Sequence, residues 1–411
     1  MITRTLSKSF APEQVFLGSI LFVHFGVYVF NLVMGRLLGA DLFADAALVL
    51  TLVMGIAFLG LTFQLTMAQV LPQLEEGRRE HMIQLLGRRA ILAGLVLGFA
   101  MIFFAGSLQN FFNAASPYTF VILGFGLPVY LFMCVSRGRQ FAGNDLFGLS
   151  MSYGTELWSR LLLTLVLLLV APWDPILILT LGMVLSFVLG LVPIRTRKDP
   201  FSAIAFPNLS EVKELNRFLA LSLFAQLTQY FINQGDVFFV KHFATNLDAS
   251  QFMAMKMVSQ TIYFIGWGFV AYMLLRNLRQ TVTMHERLDL LYRQLGIAAG
   301  VFSVLIVGAS LFPQHIMNFM LGGAYLDISP LLWKYALGVS LFSLSNIIVY
   351  HFVAIRNYIP VVLSCNYGFL QLIFLSTICD TMEEIVNIQI ICMAALLIFQ
   401  IAYLMLFNRS E

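Results

Sequence analysis

The sequence predicts an all-α, polytopic membrane protein of about twelve transmembrane helices, and three observations lead there. Of 411 residues, 60% are hydrophobic and only 11% are charged, with a mean hydropathy of +0.87. A soluble domain carries about 25% charged residues, so a chain this poor in charge could not cover its surface against water. Apolar runs near the roughly 20 residues that cross a bilayer recur along the chain, and the cations gather in alternate connections between them.

The runs fall into two sets of six. The first set is Gln14–Arg36, Leu42–Leu71, Ala90–Leu108, Tyr118–Val135, Phe147–Val170 and Ile176–Ile194. The second is Phe218–Val240, Phe252–Leu275, Leu295–Phe312, Leu331–Phe352, Pro360–Cys379 and Asn387–Phe407. The first run is long enough to span and stay, and no cleavable signal peptide is visible. The polar link Arg195–Asn216, with Pro200 and Pro207, divides the chain into expected lobes of residues 1–200 and 201–411. The patterns of Leu74–Arg89 and Arg276–Arg293 are amphipathic and predict short surface helices between the second and third span of each half.

Orientation follows from the cations. With the N-terminus inside, 19 of the 24 Lys and Arg fall on inside segments and only Arg36 and Lys241 at outer ends. Arg160, Lys256 and Lys334 fall within spans. Cationic loops are retained on the cytoplasmic side, so both termini are expected in the cytoplasm and the chain in the cytoplasmic (inner) membrane. Trp173 and Trp333 near outer ends suit interfacial anchors. At an offset of 205 residues, Asn31 and Arg36 map onto Asp236 and Lys241, and Arg88 onto Arg293. Six spans per half give both halves one orientation, so such a repeat is parallel.

Charges inside spans are the candidate functional groups. On insertion scales each costs about 2.5–3.5 kcal/mol at the bilayer centre, and such residues face a partner or a cavity. Glu156 and Arg160 stand one turn apart on one helix face, Glu on the N-terminal side, which suits an ion pair. They are read either as a self-neutralising structural pair or as a cavity-lining pair. Asp236 lies in a patch with Asn233, Gln234 and Gly235, and it can pair with Lys241 or Lys256 or serve substrate or coupling. Arg36, Lys241 and Lys334 are read as snorkelling or functional; Lys256 lies deeper. His24 and His351 are read as packing residues.

Several chemistries are missing. The chain has no GxxxxGK[ST] loop, no HExxH and no CxxC, and its four cysteines show no metal-ligand spacing. The outer loops are too short for a catalytic domain. No enzyme activity, cofactor, metal or nucleic acid is expected.

The segment Asn31-Leu-Val-Met-Gly-Arg36-Leu-Leu-Gly39-Ala-Asp-Leu-Phe resembles the opening "N…RxLG…(F/Y)" of the multidrug/oligosaccharidyl-lipid/polysaccharide exporter superfamily. Gly-Asp236 to Lys241 and the turn Leu321-Gly-Gly-Ala-Tyr325, similar to the family's "LxGxxY", extend the likeness, which is nearest to polysaccharide-type flippases. The resemblance implies two six-helix lobes around a central cavity, lined mainly by spans one, two, seven and eight and opening alternately to the two sides. It also implies a cationic cavity for a pyrophosphate headgroup. The expected site residues are then Asn31, Arg36, Gln64, Glu156, Arg160, Asn233, Gln234, Asp236 and Lys256. The expected partners are an anionic lipid-linked glycan as substrate, membrane lipid, and a polysaccharide polymerase or glycosyltransferases. Alternatives are a drug or small-molecule antiporter of the same superfamily, a major-facilitator-type transporter, and a membrane scaffold in a polysaccharide-synthesis complex. An antiporter for cations would want an acidic cavity. The loop Glu75-Glu-Gly-Arg-Arg-Glu-His81 matches the major-facilitator GxxxDRxGRR poorly.

Overall fold

The computed structural model describes residues 12–194, 209–277, 284–355, 357–379 and 381–410. Most of the polar link (195–208), residues 278–283 of the second expected surface helix and the side chain of His24 lie outside the described residues.

The described chain is helical. Helix α1, Pro12–Val70, holds the first two expected spans and breaks at Gly39, where φ is 69° and ψ is 177°. A side chain would find open space at Gly39, so glycine is needed there for its positive φ rather than for room. Next come α2 (Glu76–Phe103), α3 (Ala105–Phe112), α4 (Tyr118–Ala142), α5 (Leu146–Val170) and α6 (Pro175–Gly190). They are followed by α7 (Leu209–Phe243), α8 (Asn246–Asn277), α9 (Met284–Leu311), α10 (Pro313–Met320), α11 (Leu332–Ala354), α12 (Ile359–Ile378) and α13 (Met382–Ser410).

Each expected span is mostly helical among the described residues, although the third crosses a break at Phe104 and the helix of the sixth ends at Gly190. Among the described residues, eight helices are long and apolar enough to cross a membrane by length and composition: α1, α2, α4, α5, α9, α11, α12 and α13. Helix α6 is apolar but has 16 residues, while α7 and α8 are long but carry the polar patch and buried charge. The amphipathic stretch before the third span is not a separate surface helix. It runs on as the first turns of the 28-residue α2, because no proline or turn interrupts Glu76–Phe103.

The helices group into two compact units, Met1–Val27 with Leu48–Tyr230, and Tyr28–Ala47 with Phe231–Glu411. In the first unit α4 is the central helix, packed on α2, α5 and α6. Its apolar stretch is 67% buried, against 28% for α2 and 22% for α5, which leaves those two with broad lipid-facing sides. Close approach of α2 and α4 uses small residues. A methyl group on Gly98 would strike the Gly124 carbonyl, and one on Gly94 would strike Pro128. Lipid tails offer apolar helices no reason to leave them, so contact between bare backbones has to hold the helices together. An apolar cluster of Phe63, Met67, Met82, Leu86, Leu131 and Leu215 ties α1, α2, α4 and α7.

In the second unit α11 has the same central place, packed on α8, α9, α12 and α13, with its apolar stretch 72% buried. Polar side chains join its neighbours: Ser345 Oγ donates to Gln400 Oε1 (2.7 Å), and Gln400 Nε2 to Ser364 Oγ (3.1 Å). Phe342, Met393 and Leu396 pack with Ile232 beside them.

The two short motifs that carry the family resemblance meet inside this second unit. Tyr325 Oη donates to the Gly35 carbonyl (2.9 Å), and its ring meets Phe43 edge-on at 5.7 Å. A methyl group on Gly35 would fall 2.8 Å from Leu321. The turn reverses at Gly322, with φ 101°.

Candidate functional site

Two clusters of buried charge stand out, one in each unit. The first is built on α4 and α5. Asp145 caps α5 by accepting from the Gly148 amide (3.0 Å). The reversal at Gly143–Asp145, with Asn144 at φ 56°, returns the chain along α4. Helix α4 continues past the expected end of its span to Ala142, and so carries Arg137 into the packed interior.

Arg137 is held from several sides. Its Nε donates to Ser152 Oγ (2.8 Å) and its Nη2 to the Ser152 carbonyl (3.1 Å). Nη2 also lies 2.8 Å from Glu156 Oε2, and the guanidinium sits 4.1 Å from the Tyr153 ring centroid. Ser152 Oγ donates onward to the Gly190 carbonyl at the end of α6 (2.8 Å). Tyr153 Oη donates to Gln64 Oε1 (3.0 Å), which places Gln64 beside the cluster. The other oxygen of Glu156, Oε1, pairs with Arg160. Glu156 therefore bridges two guanidiniums, and these three buried residues together carry one excess positive charge.

The second cluster is built on α7, α8 and α11. Asp236 Oδ1 pairs with Lys256 Nζ (2.5 Å), and Asp236 Oδ2 accepts from Tyr335 Oη (2.5 Å). Lys256 also donates to the Asn233 carbonyl. One turn further along α7, Lys241 lies 3.0 Å from Asp45 and donates to Asn246 Oδ1 (2.7 Å). Asp236, Lys256 and Lys241 are 1%, 4% and 1% exposed, so neither lysine snorkels, and each pair is internally neutral.

The expected site residues divide between these places. Gln64, Glu156 and Arg160 belong to the first cluster; Asn233, Asp236 and Lys256 belong to the second, with Gln234 buried on the same helix. Asn31 is buried in the second unit, and its Oδ1 has no hydrogen-bond partner. Arg36 is exposed and caps the C-terminus of α10, donating from Nε to the Met320 carbonyl (2.8 Å) and from Nη2 to that of Phe319. Lys334 pairs with Glu383 at a half-exposed site (2.5 Å).

Sequence reasoning missed Arg137, Asp45 and Tyr335. Arg137 was assigned to the cytoplasmic loops because it follows the apolar run. Its small neighbours Ser136 and Gly138 let α4 pack closely, but that packing is visible only in the structure, where a methyl group on Gly138 would strike the backbone of Gln64.

No protein-family model matches the chain, and no curated protein matches it in sequence. Solved structures do match in fold. The inward-facing conformation of a multidrug resistance MATE family transporter of the MOP superfamily aligns with TM-score 0.70 and 13% identity, over 94% of this chain and 95% of that one. The lipid II flippase MurJ, in an inward closed conformation, aligns with TM-score 0.71 and 13% identity, over 97% of this chain and 87% of that one. A MOP superfamily transporter from Pyrococcus furiosus, described by a binding pocket of reversed polarity that suggests a different function, aligns with TM-score 0.60 and 12% identity, over 95% of this chain and 93% of that one. The chain thus has the fold of the MOP superfamily transporters.

Proposed function

We propose that the chain is a transporter of the cytoplasmic (inner) membrane, with both termini cytoplasmic. Its substrate on this reading is a lipid-linked pyrophosphate oligosaccharide or polysaccharide precursor, flipped by alternating access. The observation that carries the reading is the Arg137–Glu156–Arg160 cluster. A structural ion pair needs one cation per anion, as at Asp236–Lys256 and Asp45–Lys241. Here two buried guanidiniums share one carboxylate. Burying an unmatched charge costs several kcal/mol, and an anionic headgroup would remove that imbalance while losing its own water. Arginine suits the task because its planar fork matches phosphate oxygens. A drug-cation exporter would call for excess negative charge, and neither cluster supplies it.

The fold likeness supports transport in general, and the polarity of the buried charge supports the anionic substrate. On this reading the product is consumed outside by a polysaccharide polymerase or glycosyltransferases. The test is deletion of the gene followed by lipid extraction and a leaflet-sidedness assay. A lipid-linked oligosaccharide should accumulate on the cytoplasmic leaflet and clear on re-expression. An unchanged lipid profile together with lost resistance to a cationic drug would overturn the proposal.

A further inference from the structure

The first cluster is asymmetric, and the asymmetry assigns different tasks to its members. Arg137 is closed off. Its Nε and Nη2 are committed to Ser152 and Glu156, its face is covered by Tyr153, and its side chain is 1% accessible. Gly190 packs beside it, where a methyl group would strike Met133 Sδ at 2.8 Å and touch Nη2 at 3.4 Å. Arg160 is the opposite case. Its ion-pair partner is Glu156 Oε1, and its Nε–H is buried with no acceptor. The side chains of Arg160 and Glu156 keep 9% and 10% of their surface accessible, so the cluster's open edge is on their side.

We infer, resting on the anionic-substrate reading, that Glu156 is a built-in occupant of an anion site, displaced from Arg160 when a phosphate or pyrophosphate group binds. Arg160 then turns its Nε–H and an Nη–H onto two phosphate oxygens in the paired geometry that guanidinium favours. Arg137 keeps hold of Glu156 through Oε2, so the displaced carboxylate remains beside the site and returns when the substrate leaves. The charges balance: two guanidiniums, the carboxylate and one bound phosphate negative charge sum to zero. The resident carboxylate also sets selectivity. An incoming anion must bind Arg160 better than a tethered carboxylate does, which excludes chloride and simple carboxylates and admits phosphate esters. Arg137 is on this view a positioning residue, and Arg160 the residue that touches substrate.

The test is calorimetric titration of the purified full-length protein with inorganic pyrophosphate and, separately, with a polyprenyl pyrophosphate in mixed micelles. Glu156→Gln removes the competitor and should tighten binding about tenfold, the worth of one charge-assisted bond, and should let acetate compete. Arg160→Gln should abolish binding in both backgrounds. Should Glu156→Gln fail to fold, Glu156→Asp serves: the shorter side chain keeps one guanidinium and releases the other, and binding should again tighten. A gain on the lipid alone assigns the site to a lipid headgroup; a gain on both ligands assigns it to phosphate in general. Wild-type binding that is unchanged or weakened in Glu156→Gln and Glu156→Asp, or that survives Arg160→Gln, overturns the displacement inference and leaves the proposed function standing. Absence of binding to wild type and to both Glu156 variants overturns both.

Discussion

Exchanging the charges of Glu156 and Arg160 separates a simple ion pair from the arrangement described above. In an isolated pair, Glu156→Arg combined with Arg160→Glu restores the attraction that either change alone destroys. Arg137 alters that outcome. Its Nη2 lies 2.8 Å from Glu156 Oε2 and its side chain is 1% accessible, so it cannot swing away. The exchange breaks the Arg137–Glu156 contact, worth about 3–5 kcal/mol when one partner of a buried pair is lost. It also places an arginine against Arg137. At about 4 Å and an effective dielectric of about 20, that repulsion adds about 4 kcal/mol. The sum approaches the whole stability of a typical domain, about 5–15 kcal/mol. The exchanged protein should therefore regain only part of the stability lost in the Glu156→Arg single variant, and substitution of Arg137 by Met in the exchanged background should recover more of the loss. Thermal unfolding in detergent, followed by size-exclusion chromatography, reads all four proteins. Full rescue by the exchange with Arg137 present would refute the shared-carboxylate reasoning.

Other outcomes follow from the second cluster and the loops. Asp236→Ala strands Lys256 and should cost about 3–5 kcal/mol, whereas Asp236→Asn with Lys256→Met should unfold near the wild-type temperature; additive losses in a double-mutant cycle would contradict a neutral structural pair. Arg36→Ala removes only the cap on the exposed end of α10, so it should lower stability by about 0.3–1 kcal/mol and leave transport intact, as a vesicle flipping assay can check. In a variant lacking Cys379, the one cysteine not fully buried, an impermeant thiol reagent added to intact cells should label cysteine at Asp248 or Asp327 and spare cysteine at Arg78. Labelling at Arg78 would reverse the topology.

The helices were legible because lipid imposes a simple code: a span must be apolar for about 20 residues, and each of the runs in this chain meets or nearly meets that length. Turns were legible where one residue type is required, as at Gly39 and Gly322, whose positive φ favours glycine. An intramembrane charge is rare enough to demand a partner, which makes the Glu156–Arg160 pair legible and narrows the ion-pair partner of Asp236 to Lys241 or Lys256, of which the structure has Lys256. Arg137 was not, because an arginine just beyond an apolar run is compositionally the same as a loop cation. Only tertiary packing, here the small residues around α4, decides whether the helix carries it inward. Tyr335 and Asp45 were hidden for a related reason. A tyrosine needs no charged partner, and an aspartate near a span end needs none while water is at hand.

The membership of residues 28–47 in the second unit has a consequence for biosynthesis. Lys241, the buried counter-ion of Asp45, is added almost 200 residues after it. At about 5–20 residues per second, the nascent chain holds that carboxylate without its final partner for on the order of 10–40 s. Throughout that interval the middle of α1 also lacks the Tyr325 hydroxyl that caps Gly35. This stretch must therefore wait in the translocon or at the water interface, where a lone charge is tolerated, and it can seat only after the second half has been threaded. Assembly of this protein is not a simple succession of lobes: residues 28–47 precede most of the first unit in the chain but find their packing partners in the second.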